Sequence, residues 1–147
     1  MTTIEKYDTI KLENQLCFPL YACAKEIVRL YRKPLGKLNL TYTQYVVMMV
    51  LWERGAITEG ELGKIVYLDS GTLAPLLKRL ENQGLINRTI PKDNARKLLV
   101  SLTDKGIELK EKALCVPEEM DGCIPLDENE LTELKKLLDK ILLKMED

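Results

Sequence analysis

Two runs between residues 58 and 84 decide the fold: Thr58-Glu59-Gly60-Glu61, and Asp69-Ser70-Gly71-Thr72-Leu73-Ala74-Pro75-Leu76-Leu77-Lys78-Arg79-Leu80-Glu81-Asn82-Gln83-Gly84. Thr58 with Glu61 three residues on is a capping box, which predicts a short helix to about Tyr67. Asp69 and Ser70 offer N-cap oxygens to a second helix reaching about Gln83, and Gly84 is placed to stop it. Directly downstream, residues 85–90 and 97–102 read as extended. The turn-prone Pro91-Lys92-Asp93-Asn94 between them predicts a β-hairpin.

Working outward, Leu16, Leu20, Cys23, Ile27, Leu30 and Tyr31 recur at three- and four-residue steps, the stripe of an amphipathic helix ending near Pro34 and Gly36. Pro19 either starts the regular helix or kinks it around residues 15–19. Thr41-Tyr42-Thr43-Gln44 is a capping box for a helix through about Glu53 that Gly55 closes, with Met48, Met49 and Trp52 expected in the core. Thr103 can cap a helix across 108–114, and Asp127 with Glu130 starts a last one through Lys144. The fold class is therefore mainly α with a small β-hairpin wing. A short helix, a tight turn, a second helix and a hairpin make a winged helix-turn-helix, whose second helix can reach into the major groove of DNA.

At 147 residues the chain is expected to form one domain that buries roughly 70% of its unfolded surface. It has no histidine, which excludes Ser-His-Asp and Cys-His nucleophiles and any imidazole metal site. Its four cysteines contain no Cys-x-x-Cys pair, so no metal site is expected and no cofactor is indicated. The first fifteen residues have no apolar core of a secretory signal. The longest apolar run, residues 45–52, is far short of the ~20 a membrane span needs. A cytoplasmic location with reduced thiols is the expectation.

The net charge of −1 on its face disfavours nucleic acid, but the charges are segregated. Residues 78–97 hold six basic residues (Lys78, Arg79, Arg88, Lys92, Arg96, Lys97) against two acidic ones, a net +4. Residues 118–147 hold ten acidic against four basic ones, a net −6. The positive excess falls on the predicted reading helix and wing, where phosphate neutralisation drives affinity.

The run from Leu68 to Leu73, then Pro75-Leu76-Leu77-Lys78-Arg79-Leu80-Glu81, resembles the recognition helix of MarR-type transcriptional regulators, and residues 99–106 fit that family's wing. Leu16-Cys17-Phe18 and Leu40-Thr41-Tyr42-Thr43-Gln44-Tyr45 resemble its organic hydroperoxide resistance regulator (OhrR) subgroup. The resemblance covers about residues 12–144. It implies a single MarR-type domain over 1–147: about 9–35 and 104–147 as helices of an obligate homodimer, and about 41–103 as a winged lobe binding double-stranded operator DNA. It assigns DNA contact to Ser70, Thr72, Pro75, Lys78 and Arg79, with Arg96 entering the minor groove, where a narrow groove attracts a guanidinium. Where the family's wing has Asp two residues before that arginine, this chain has Asn94, which puts the intra-wing ion pair in doubt or shifts it to Asp93.

The resemblance also makes Cys17 the thiol that reads organic hydroperoxide, Tyr31 and Tyr42 its hydrogen-bond donors, and Cys123 the resolving thiol. A thiolate is the reactive form, and oxidation gives a sulfenic acid that condenses with a second thiol. Tyr31 lies within about 40° of the Cys17 face of one helix but about 21 Å along it, so the two meet only across a dimer. Were the helix to start at Pro19, Cys17 would sit at a helix N-terminus, whose dipole favours a thiolate. Cys23 and Cys115 read as small core hydrophobes. The function implied is a redox-sensing repressor, not an enzyme. Another thiol-reactive signal or a small aromatic ligand remains an alternative, and a thiol peroxidase a more distant one.

Overall fold

The computed structural model describes residues 3–146. It is mostly helical, and in chain order the elements are α1 (Thr3–Asp8), a 3-10 turn (Leu12–Asn14), α2 (Cys17–Leu30), α3 (Arg32–Gly36), α4 (Tyr42–Arg54), β1 (Ile57–Thr58), α5 (Glu59–Val66), α6 (Ser70–Asn82), β2 (Ile86–Thr89), β3 (Leu99–Leu102), α7 (Asp104–Lys112), α8 (Cys115–Met120) and α9 (Glu128–Met145).

Side-chain caps set most of these starts. Thr41, Thr58, Asp69, Thr103 and Asp127 each accept the backbone N–H three residues on. At Thr41 and Asp127 the reciprocal bond, from the cap's own N–H to the Gln44 or Glu130 side-chain oxygen, completes the box. Gly55 and Gly84 end α4 and α6 with φ of 74° and 76°, a region open to glycine at no steric cost.

Prolines set the remaining breaks. Pro19, Pro34 and Pro117 each stand third in their helix, in the turn whose N–H groups have no intrahelical acceptor. The helix expected around Pro19 therefore begins at Cys17 and is interrupted at Tyr31 instead of running on to Gly36. The helix expected to reach residue 114 stops at Lys112 for the same reason. Pro117 obliges a fresh start at Cys115, so Cys115 opens α8 instead of ending α7.

The hairpin is part of a three-stranded antiparallel sheet of order β1-β3-β2. Ile57 pairs with Val100 on one side of β3, and Arg88 with Val100 on the other. The core fills the space between α3, α4, α5, α6 and this sheet, with Leu35, Met48, Leu51, Leu62, Leu77 and Val100 fully buried. Of the three residues expected inside, Met48 is there and Trp52 is half-buried, its Nε1–H donating to Gly106 O at 2.9 Å. Met49 is 39% exposed, which corrects its assignment. No residue of α2 or α9 is buried. Among the described residues no helix is long and apolar enough to cross a membrane.

Candidate nucleic-acid interface and thiol site

α6 separates its two jobs by face. At about 100° per residue, Leu73, Leu76, Leu77 and Leu80 share one side and are buried, while Thr72, Pro75, Lys78 and Arg79 fall on the opposite side and are exposed. Ser70, the first residue, is exposed as well. Asp69 Oδ1 accepts the Thr72 N–H at 2.8 Å and fixes this end of the helix. At the other end Lys105 Nζ donates to the Gln83 carbonyl at 2.8 Å, a cation on the carbonyl terminus.

The wing tip is organised by Asn94. Its Oδ1 accepts the Arg96 N–H at 3.1 Å, its carbonyl accepts from Lys97 at 3.2 Å, and its own N–H donates to Pro91 O at 3.3 Å. Of the two alternatives for the intra-wing ion pair, its loss is the one seen: among the described residues neither Asp93 nor Arg96 is in a salt bridge. A side-chain amide thus shapes the turn through the backbone and leaves the Arg96 guanidinium free.

The six cations of residues 78–97 are not equivalent. Arg88 turns inward: its Nη2 and its backbone N–H donate to the two carboxylate oxygens of Glu81, each at 3.2 Å. The Arg88 hydrogen bond is the main reason the Glu81 carboxyl titrates below its ordinary range, outweighing the opposing effect of desolvation. Lys78, Arg79, Lys92, Arg96 and Lys97 make no ion pair among the described residues and are exposed.

Cys17 is the first residue of α2, is exposed, and opens a helix with no side-chain cap. Tyr31 closes the same helix, so the two sit at opposite ends of it, about 21 Å apart at 1.5 Å per residue. Tyr31 and Tyr42 do come together, with ring centroids 4.9 Å apart. Tyr45 joins them at 6.1 Å from Tyr31 and continues to Trp52 at 6.4 Å. Burial pushes the Tyr31 and Tyr45 phenols above their ordinary range. Both therefore keep their protons, and the ability to donate them in hydrogen bonds, at neutral pH.

The remaining thiols differ in setting, and all four cysteines are free. Cys123 is exposed in the loop before α9 and donates weakly to Glu119 O at 3.4 Å. Cys115 is half-buried against the core, as expected. Cys23 is exposed on α2, because in one chain nothing covers that helix. Among the described residues no group of three potential ligands could hold a metal ion.

The model of the MarR family matches residues 40–98, from just before α4 to the wing. The organic hydroperoxide resistance transcriptional regulator of Bacillus subtilis (strain 168) is 46% identical over 93% of this chain and 93% of its own length. The chain belongs to the MarR family. Two solved structures share 33% identity with this MarR-family chain: reduced AbfR bound to DNA, with a TM-score of 0.81 and 96% of each chain covered, and disulfide-formed AbfR, with a TM-score of 0.65 and 96% and 99% covered.

Within this member of the family, three features escaped the sequence reading. Tyr45 follows Tyr42 by three residues on one helix, so its place in the tyrosine cluster was within reach of the helical period. The Arg88–Glu81 pair joins a strand to a helix, and only the fold brings it together. The same holds for Tyr67, whose hydroxyl donates to Glu146 Oε1 at 2.5 Å, 79 residues away.

Proposed function

We propose that this chain is a cytoplasmic, dimeric repressor that binds operator DNA while Cys17 is reduced and releases it when an organic hydroperoxide oxidises that thiol. Residues 41–103 form the DNA-binding lobe, and about 9–35 and 104–147 the dimerisation helices. One observation carries the reading: an exposed thiol and the tyrosine pair suited to receive it stand at opposite ends of α2, a helix with no buried residue. The two can meet only between chains, so thiol chemistry is tied to quaternary geometry.

In the first step the Cys17 thiolate attacks one peroxide oxygen. The O–O bond breaks, the leaving alkoxide takes a proton from water and departs as an alcohol, and a sulfenic acid remains. The partner's thiol, assigned to Cys123 by the resemblance and exposed here, then forms the S–S bond and releases water. Tyr31 and Tyr42 hydroxyls hydrogen-bond the sulfur. On DNA, α6 presents Ser70, Thr72, Pro75, Lys78 and Arg79 to the major groove and the wing carries Arg96 to the minor groove. The likeness in shape to reduced AbfR bound to DNA supports the DNA-binding role.

The test is a gel shift on the chain's own promoter fragment with wild type and Cys17→Ser, with and without cumene hydroperoxide. Wild type should be released and the variant retained. Release of both refutes the mechanism, and retardation of neither refutes the DNA-binding role.

A further inference from the structure

The end of α9 lies against the DNA-reading lobe. Tyr67 closes α5 at φ 56°, a left-handed conformation that side chains other than glycine rarely adopt, and its hydroxyl holds the Glu146 carboxylate. Two residues later Asp69 caps α6. Met145 and Glu146 thereby wall one side of an open groove of about 1260 Å³, whose other walls include Lys64, Ser70, Arg96 and Lys97. The groove therefore holds the first residue of the reading helix, two free cations of the wing and the carboxylate that Tyr67 anchors, with Glu59, Glu61 and Lys64 of α5 also on its walls. The first three are placed to approach DNA, and the carboxylate has the sign of a phosphate.

We propose that Glu146, anchored by Tyr67, is an autoinhibitory carboxylate that opposes entry of the DNA backbone into this groove. The inference rests on the DNA-reading role proposed above. A carboxylate at a loose helix end can move away from an approaching phosphate, whereas one tethered to a rigid turn stays and repels it. Tyr67 thus matters as much as the charge. The repulsion offsets part of the attraction from Arg96 and Lys97, and salt screens it.

Three variants separate this from a general effect of acidity. Glu146→Gln removes the charge and keeps an acceptor for Tyr67. Tyr67→Phe keeps the charge and removes the anchor. Glu133→Gln makes the same charge change about 20 Å further up α9. Binding of the reduced proteins to a labelled duplex of their own promoter is followed by anisotropy at rising salt. Tyr67→Phe and Glu146→Gln should each bind several-fold more tightly at low salt, the gain closing at high salt, while Glu133→Gln follows wild type. The proposal fails if Tyr67→Phe binds no more tightly than wild type, or if Glu133→Gln gains as much as Glu146→Gln. Wild type that does not bind at all overturns the DNA-reading role itself, and this proposal with it.

Discussion

Arg88 and Arg96 are both wing-region arginines in the sequence, and the structure gives them opposite partners, from which opposite behaviour on DNA is predicted. Arg88 is neutralised within the protein by Glu81, whereas Arg96 makes no ion pair and keeps only a backbone bond to Asn94. Each phosphate neutralised adds about 0.9 to the slope of log affinity against log salt. A two-lobed repressor lacking Arg96 should therefore lose about 1.8 from that slope. Between about 50 and 200 mM salt, the affinity of Arg96→Ala should fall roughly tenfold less than that of wild type. Arg96→Ala leaves the turn intact, because the Asn94 bond uses the backbone N–H. Arg88→Met should leave the slope unchanged and instead lower the urea midpoint, since it removes the guanidinium from Glu81 and leaves only the backbone N–H bond. Filter binding or anisotropy at four or five salt concentrations gives both slopes. Equal slopes for the two variants, or a loss confined to Arg88→Met, would refute the assignment.

Other predictions follow from particular contacts. An alanine Cβ at Gly106 would lie 2.1 Å from Leu85 O, so backbone must move. Gly106→Ala should cost about 3 kcal/mol by urea denaturation and shift the Trp52 emission whose N–H bonds Gly106 O, and an unchanged midpoint would sink the idea. The depressed Glu81 carboxyl makes a contribution to stability that is present above its unfolded value of 4.5 and is lost as pH falls through the depressed folded value. Carboxyl NMR titration should show Glu81 returning to the ordinary range in Arg88→Met, and no change between the two proteins would contradict this. Leu134→Glu with Ile141→Glu on the exposed stripe of α9 should give a monomer by sedimentation with its lobe still folded, and a surviving dimer would count against this face. Co-refolding Cys17→Ser with a Tyr31→Phe/Tyr42→Phe chain restores one complete site per heterodimer. Peroxide-dependent DNA release should reappear in the mixture though neither parent shows it, and silence there would refute assembly across chains.

Much of the lobe is written locally. Helix starts at Thr41, Thr58, Asp69, Thr103 and Asp127 need only a side-chain oxygen and an N–H three residues on, and glycine stops need only a left-handed φ. What escaped is what only the fold supplies. β1 has two residues and exists because β3 offers it a ladder, so no periodicity announces it. The α7–α8 break is local but turns on where Pro117 falls within a turn, a boundary the apolar pattern alone does not mark. Met49 and Cys23 read as core because apolar residues on a helix stripe are commonly buried, yet both are exposed in this chain. At the site, Tyr31 and Tyr42 were legible as a pair and the separation from Cys17 followed from helix rise. Counting charges overstated the reading face by Arg88, whose partner lies across a turn.

The distribution of burial explains how a thiol at one end of the molecule can govern DNA at another. Every buried residue among the described ones lies between Pro34 and Val116, so the lobe that reads DNA owns its core. α2 and α9 own none, and their apolar stripes must be covered by association or stay exposed. The lobe thus keeps its buried core apart from α2, which meets it at the Tyr31 end through Tyr42 and Tyr45. A disulfide from Cys17 to the partner's resolving thiol requires the two Cα atoms to approach within about 4.4–6.8 Å. Neither residue lies in the lobe core, so meeting that condition moves α2 and the loop before α9 without disturbing Leu77, Leu80 or Val100. In the proposed mechanism, oxidation then changes the spacing and tilt of two intact lobes. For a protein that reads successive major grooves about 34 Å apart, a change in spacing is enough to lose the operator.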